Sequence, residues 1–411
     1  KDEIIMLMVS KERLEEKIAA FSRFGDNGKG GITRLSLSQP ALEARTEFIN
    51  RCRKMGMDVK TDDLGNIYAL RKGTEELPAL IMGSHLDSVV DGGNYDGVLG
   101  VITGLEVIET LHSSQTSTRH PVGVMVWTNE EGARFDPAMM CSGIVTGKFD
   151  KESMMDSADK NGIRFGDALA ASGFVGNESN RLNPKDYAGY LELHIEQGPV
   201  LEIEEKEIGV VEGVVGMVNY EFTVLGVSDH AGTTPQKTRK DALYGASKLI
   251  LRLWEELEQI DEALVFTMGR MNVLPNVHTV IPNEAKFTLD ARHKDPEIIQ
   301  KVVDAIEELP DHVAGCEIRY DKLWGRDTVL FDGQFVKAIQ GAANELDYSS
   351  RKIYSGAGHD AQYVAGYLPS GMIFVPSAQG HSHCSEEFTP IELVEKGTNV
   401  MLKTLLELDR Q

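Results

Sequence analysis

The stretch LIMGSHLDSVVDGGNYDGVLGVITGLEVIETL (residues 80–111) runs from an apolar segment through a loop into a helical apolar pattern. Leu80–Met82 reads as a buried strand and Val98–Leu111 as a helix. The loop between them sets His85, Asp87, Asp91 and Asp96 among glycines. A solvated turn accounts for acids and glycines, but not for a histidine at the end of a buried strand. A metal site accounts for all three. His85 and Asp87 are two apart, so in extended backbone they point to one side. From there Asp87 can accept the second ring N–H of His85 and fix its tautomer. Asp96 stands at the expected helix start, where capping would explain it alone but leave His85 unexplained. The glycines let the backbone come close to an ion.

Working outward, Asn66–Leu70 and Tyr190–Ile195 read as strands, and Val122–Thr128 as a fully apolar, buried one. The segment 178–188 is loop-like. Strands alternating with helices imply an α/β layer with helices covering the sheet. Residues 214–327 follow another pattern: strand Asn219–Leu225, helix Lys240–Leu257, strands Val265–Asn272 and Ala285–Ala291, helix Pro296–Glu308, strand Glu317–Lys322. That order is βαββαβ, the split-βαβ (ferredoxin-like) sandwich. The α/β pattern then returns with helix Gly333–Leu346, strand Met372–Val375 and a last helix to Leu408, with Thr389 as N-cap and Pro390 at its first position. The expected architecture is therefore a discontinuous α/β domain with a mixed sheet (1–212 and 328–411) carrying a smaller inserted domain (213–327).

Three further clusters resemble the first in position. WTNEEGARF (127–135) follows the buried strand Val122–Thr128, on the edge where open α/β sheets bind ligands. Two adjacent ionised acids there are costly unless a cation or shared proton relieves them. In LELHIEQGPVLE (191–202), His194 sits inside an apolar strand, where a lone histidine is more often a satisfied core residue. In GHSHCSEE (380–387), His381 and His383 share a face, and the pattern does not choose between them. All four clusters lie at or just past strand ends of one α/β unit. Their His, Asp and Glu content suits Zn²⁺ or Mn²⁺, and a bridging Asp would allow two ions.

At 411 residues the chain exceeds what one core usually organises, which fits two domains. Its net charge of −22 argues against nucleic acid or an anionic membrane surface as partner. Cys52, Cys141, Cys316 and Cys384 are scattered, as expected of reduced thiols in a cytoplasmic protein. The apolar run Ile4–Val9 is too short and too acidic at its start for a signal peptide, and Met8 is a candidate native start.

Taken together, the motifs resemble the M20 metallopeptidase-like amidohydrolases, in particular the allantoate amidohydrolase and N-carbamoyl-L-amino acid hydrolase branch. The match covers nearly the whole chain: GGITR (30–34), GSHLDSVVDGGNYDG (83–97), NEEGARF (129–135), ELHIEQG (192–198), DHAGTTP (229–235), DARH (290–293), SGAGHDAQ (355–362) and GHSHCSEE (380–387). The resemblance implies that Asp96 bridges two divalent ions, with His85 and His194 on one and Glu131 and His383 on the other. It implies that Glu130 is the general base, that Asp87 orients His85, and that His230 polarises the scissile carbonyl. Arg292 would hold the substrate carboxylate, and Gln197 and His359 would line the pocket. Relatives commonly carry Asn where this chain has Thr279, a shorter side chain at a position that contacts substrate in the family. The resemblance further implies a lid and dimerisation role for the inserted domain, hence a homodimer. The implied activity is hydrolysis of the ureido C–N bond of allantoate, with N-carbamoyl-L-amino acids the alternative and peptides a lesser one. A non-catalytic binding protein on this scaffold would lack a ligand or the base, and none is missing.

Overall fold

The computed structural model describes residues 7–411, so the first half of the run Ile4–Val9 lies outside the described residues. The chain divides into two compact units, one reaching to Glu212 and resuming at Leu330, the other Gly213–Val329. Chain order begins with β1 (Asp58–Thr61), β2 (Ile67–Arg71), β3 (Ala79–His85), β4 (Val122–Trp127), β5 (Tyr187–Ile195) and β6 (Ile208–Val214). Next come β7 (Gly216–Leu225), β8 (Val265–Thr267), β9 (Met271–Leu274), β10 (Glu284–His293), β11 (His312–Val313) and β12 (Cys316–Arg326). The last are β13 (Val329–Leu330), β14 (Ser350–Ser355) and β15 (Ser370–Val375).

Nine strands form one sheet in the order β1-β2-β4-β3-β5-β15-β6-β13, with β14 also on β6. The centre β4-β3-β5-β15 is parallel, whereas β1 on β2, β2 on β4 and β15 on β6 are antiparallel. The sheet is mixed and the fold is α/β. β3, β4 and β15 are buried at every position, as strands covered on both faces must be. β3 runs three residues beyond Met82, which makes His85 its last residue.

The helix Val98–Ser113 packs on β3, β4 and β5 and under the helices Lys11–Ser22 and Ile391–Leu408. It is buried from Val98 to Ile108, so it is a core helix rather than an amphipathic one. Its one acid in that span, Glu106, is met by Arg13 (2.5 Å) and by Lys17 (2.8 Å), itself almost fully buried. The last helix begins at Ile391 with Pro390 as N-cap, which corrects the expected Thr389 cap. The Thr389 hydroxyl donates instead to the Pro376 carbonyl at 2.9 Å, tying the helix start to the segment after β15.

The second unit has a sheet in the order β11-β12-β7-β10-β8, with β9 also on β10. Its pairings are antiparallel, and β10 alternates buried and half-buried side chains along its length. The helices Ala242–Leu257 and Pro296–Glu307 bury Leu249, Leu253, Val302 and Ile306 in one core, where Phe222 and Phe287 stack at 4.9 Å. The single strand expected over Val265–Asn272 is broken. Thr267 pairs with Asp290 and Met271 with Phe287, so residues 268–270 oppose only 288 and 289. The extra residue within 268–270 ends one ladder before the next begins.

Burial works to raise the Glu106 pKa, but hydrogen bonds from Arg13 and Lys17 and the Lys17 charge outweigh it and hold the carboxyl below its ordinary range. A depressed carboxyl contributes stability that is present above its unfolded pKa and lost as pH falls through its folded one. Glu106→Ala strands the buried Lys17 with Glu109 alone and is expected to cost about 3 kcal/mol at pH 7. Denaturant unfolding measures this, and the gap from wild type should narrow below about pH 4. An equal gap at pH 3 and pH 7 would contradict the assignment.

Candidate metal centre

β3 delivers His85 to the edge of the sheet, and the register Met82↔Leu191 on β5, carried three residues further, sets it level with His194. The two rings lie 6.2 Å apart. Each is oriented from behind by a carbonyl. His85 Nδ1 is 2.9 Å from the Asp87 backbone oxygen, and His194 Nδ1 is 2.9 Å from the Ile195 oxygen. A carbonyl only accepts, so both rings carry hydrogen on Nδ1 and turn Nε2 toward the site. The Asp87 carboxylate stands farther off, 3.9 Å from the His85 ring, and accepts the backbone N–H groups of Glu130 (3.4 Å) and Glu131 (3.2 Å).

Asp96 is the centre of the cluster. Its Oδ1 is 3.2 Å from His194 Nε2 and 3.6 Å from His85 Nε2. Its Oδ2 is 3.3 Å from His383 Nε2, which is also 3.4 Å from Glu131 Oε2. Two groups of potential metal-binding residues therefore share one carboxylate: His85, Asp96 and His194, and Asp96, Glu131 and His383. Of the two histidines that the sequence pattern does not separate, it is His383 whose ring lies near these acids. A third group, Glu192, His194 and His359, has its acid already engaged. The Glu192 oxygens accept from Ser84 (2.7 Å) and Tyr190 (2.9 Å), so it supports the strands beneath the site.

The loop after β4 turns through Asn129, which has φ +59° and donates from its side chain to the Phe135 carbonyl at 2.8 Å. This turn sends both following acids inward. Glu130 Oε2 lies 3.4 Å from His85 Nε2. Burial, resisted by the His85 charge, pushes the Glu130 carboxyl well above its ordinary range. Burial and then the Asp96 charge push Glu131 up to about 8. His383 moves the other way relative to neutrality: its contact with Asp96 raises it to about 9. Acids that resist ionising beside imidazoles that favour protonation mark a place short of positive charge. Glu131 Oε1 is buried without a hydrogen-bond partner among the described residues. The orphaned oxygen, the three Nε2 atoms turned toward Asp96 and the shared carboxylate all fit a divalent cation.

Two buried arginines brace the strand ends. Arg34 of GGITR donates to the carbonyls of Phe21 (2.9 Å), Phe24 (3.0 Å) and Leu86, next to His85. Arg45 donates to Gly65 O and Thr128 Oγ1, each at 2.6 Å. Glycines play a different part from the one the sequence suggests. A Cβ on Gly97 would come 2.2 Å from the His85 ring, so the residue is small to admit the imidazole rather than an ion. A Cβ on Gly93 would meet the Glu387 carboxylate at the same distance.

Gln197 Nε2 donates to Asp96 Oδ2 at 2.7 Å, and the His359 ring packs edge-on against His194 with centroids 4.5 Å apart. His230, Thr279 and Arg292 belong to the second unit. There His230 bridges Val280, next to Thr279, and Arg292 pairs with Asp290 at 2.7 Å. Sequence reasoning missed Glu192, Ser382 and Glu387. Glu192 had a signal, an acid two residues before His194 in an apolar strand.

The model of peptidase family M20/M25/M40 matches residues 81–407. An N-carbamoyl-L-amino-acid amidohydrolase of Paenarthrobacter aurescens is 36% identical over 405 residues, covering 97% of this chain and 98% of the relative. An allantoate amidohydrolase of Escherichia coli (strain K12) is 33% identical over 409 residues, covering 98% and 99%. A crystal structure of an amidase of the hydantoinase/carbamoylase family from Burkholderia multivorans superposes with a TM-score of 0.92 at 36% identity, covering 98% of this chain and 99% of that one.

Gly97 has φ +65°, so Gly97→Ala meets both the left-handed backbone penalty of about 1–2 kcal/mol and the His85 overlap. The variant is expected to melt at lower temperature and to lose bound metal, as measured by thermal unfolding and elemental analysis. Wild-type melting and metal content together would contradict the packing argument.

Proposed function

The chain belongs to peptidase family M20/M25/M40, and from that premise we propose that it is a metal-dependent amidohydrolase of small ureido acids. The reaction adds water across a ureido C–N bond and releases ammonia and carbon dioxide. Allantoate is the substrate to which the motifs SGAGHDAQ and ARHKD lean. The N-carbamoyl-L-amino acids are the second reading, favoured by the 36% identity to a relative named for that activity against 33% to one named for allantoate.

The observation that carries this reading is Asp96, whose two oxygens face two separate histidine sets. His85, His194 and Asp96 would hold one Zn²⁺ or Mn²⁺, and Asp96, Glu131 and His383 a second. When bound, such ions lower the pKa of water and polarise a carbonyl. The protein supplies the proton handling and the grip. Glu130 is buried beside His85 with a carboxyl that holds protons readily, which suits a group that accepts one from attacking water and returns one to the departing nitrogen. Asp87 keeps Glu130 and Glu131 in place through their backbone N–H groups. His230 is assigned hydrogen bonding to the scissile carbonyl oxygen, Arg292 pairing with the substrate carboxylate, and Gln197, His359 and Thr279 the pocket lining.

The second unit is proposed to be a ferredoxin-like lid and dimerisation domain. Its strand order and two same-face helices support this, as do the exposed Leu251, Trp254 and Val265. The protein is then a homodimer with two-fold symmetry. The four free cysteines are in keeping with a cytoplasmic enzyme, and no helix among the described residues is long and apolar enough to cross a membrane.

Ammonia release from allantoate and from N-carbamoyl-L-amino acids, on one metal-reconstituted sample, tests the activity and ranks the substrates. Glu130→Gln should keep both ions and slow turnover by about 10²-fold or more, and a near-normal rate would move the base elsewhere. Sedimentation should give a dimer, and a fully active monomer would overturn the dimerisation role.

A further inference from the structure

We infer that Glu387 is a positioning residue that joins Asp96 and His383 into one ligand set. Neither of those residues is held by regular structure alone. Asp96 sits in a glycine-bearing loop just before a helix, and His383 has φ +58° in the segment after β15. They lie far apart in sequence, and the buried Glu387 carboxylate spans the gap. Its Oε1 accepts the backbone N–H groups of Tyr95 and Asp96, each at 2.9 Å. Its Oε2 accepts the backbone N–H of His383 at 3.3 Å and lies 3.2 Å from the Ser382 hydroxyl. That hydroxyl is also 3.0 Å from Asp96 Oδ2. Gly93 leaves room for the carboxylate, since a Cβ there would overlap it.

The partners explain why the residue is an acid. Three are backbone N–H groups, which can only donate, and they are divided between the two carboxylate oxygens. An ionised carboxylate accepts on both edges at once. An amide of the same shape has one oxygen, so its NH₂ must face either the Tyr95 and Asp96 pair or His383. One of the two loops is then released. The loop containing His383 is the more exposed: its side chain is 49% accessible, whereas that of Asp96 is 7%. Release therefore falls on the set formed by Asp96 Oδ2, Glu131 and His383. The set of His85 and His194 is braced by β3 and β5 and keeps its own carbonyl contacts.

This rests on the two-ion reading above, so the test measures metal rather than turnover. Zinc is titrated into the chelator-stripped full chain against a competing chromogenic chelator, for wild type, Glu387→Gln and His383→Ala. Wild type should take up two equivalents. Glu387→Gln should keep one equivalent within about threefold and weaken the other by about 10- to 100-fold, the scale for losing a residue that orients a ligand. The weakened equivalent should be the one that His383→Ala loses. Glu387→Asp keeps the charge but is one methylene too short to reach both loops, and it should show the same selective loss if Glu387→Gln fails to fold. Two wild-type affinities in a folded variant, or an equal fall in both, would overturn the role of Glu387. A wild type that saturates at one equivalent would overturn the two-ion reading itself.

Discussion

Asp96, Glu130 and Glu131 bring three carboxylates into a space that water barely reaches, with the rings of His85, His194 and His383 as their neighbours. Like charges so placed repel strongly at low dielectric, and side chains free to move would swing apart. Much of the first unit follows from the need to prevent that. The parallel centre of the sheet fixes His85 and His194, the Asn129 turn fixes the two glutamates, and Asp87 and Glu387 hold the backbone N–H groups around them. The amino end of the buried helix Val98–Ser113 adds its own partial positive charge next to Asp96. Arg34 and Arg45 stand behind the same strand ends, and burial pushes Arg34 down to about 10.

Much of this was legible in the sequence because it is local. An apolar run that ends on histidine, or on a pair of glutamates, records both a strand and the edge it reaches. The placement of His85, Glu130, Glu131 and His194 at strand ends needed only the period of the run and its length. The choice between His381 and His383 did not yield to that reasoning, since residues two apart share a face. What separates them is contact with Asp96 and Glu131, which His383 makes and which lies far away in sequence.

What stayed hidden depends on partners remote in sequence. Thr389 looks like a helix cap, but a carbonyl thirteen residues earlier claims its hydroxyl. Gly97 looks like room for an ion, yet the room is filled by an imidazole from the preceding strand. Asp87 faces the backbone of the next cluster more closely than it faces His85. Glu387 was visible only as one of two acids at the end of a motif, and its neighbour Glu386 is exposed where Glu387 is buried. The break between β8 and β9 shows the same limit on a smaller scale. Residues 265–272 carry strand character throughout, and only the count against β10 reveals the extra residue.

The discontinuity of the first unit has a consequence for synthesis. The second unit draws all its strands and helices from one uninterrupted span, Gly213–Val329, so it can close as soon as that span has left the ribosome. The first unit cannot. β5 is flanked on one side by β15, and Asp96 waits for a histidine nearly three hundred residues downstream. Until those late segments arrive, the half-built sheet exposes the edge of β5, a surface that invites wrong pairing. A nascent chain at that stage is open to aggregation and to chaperones, and a ribosome that stops early leaves a well-folded insert attached to a unit in which Asp96 and Glu131 have no His383 to face.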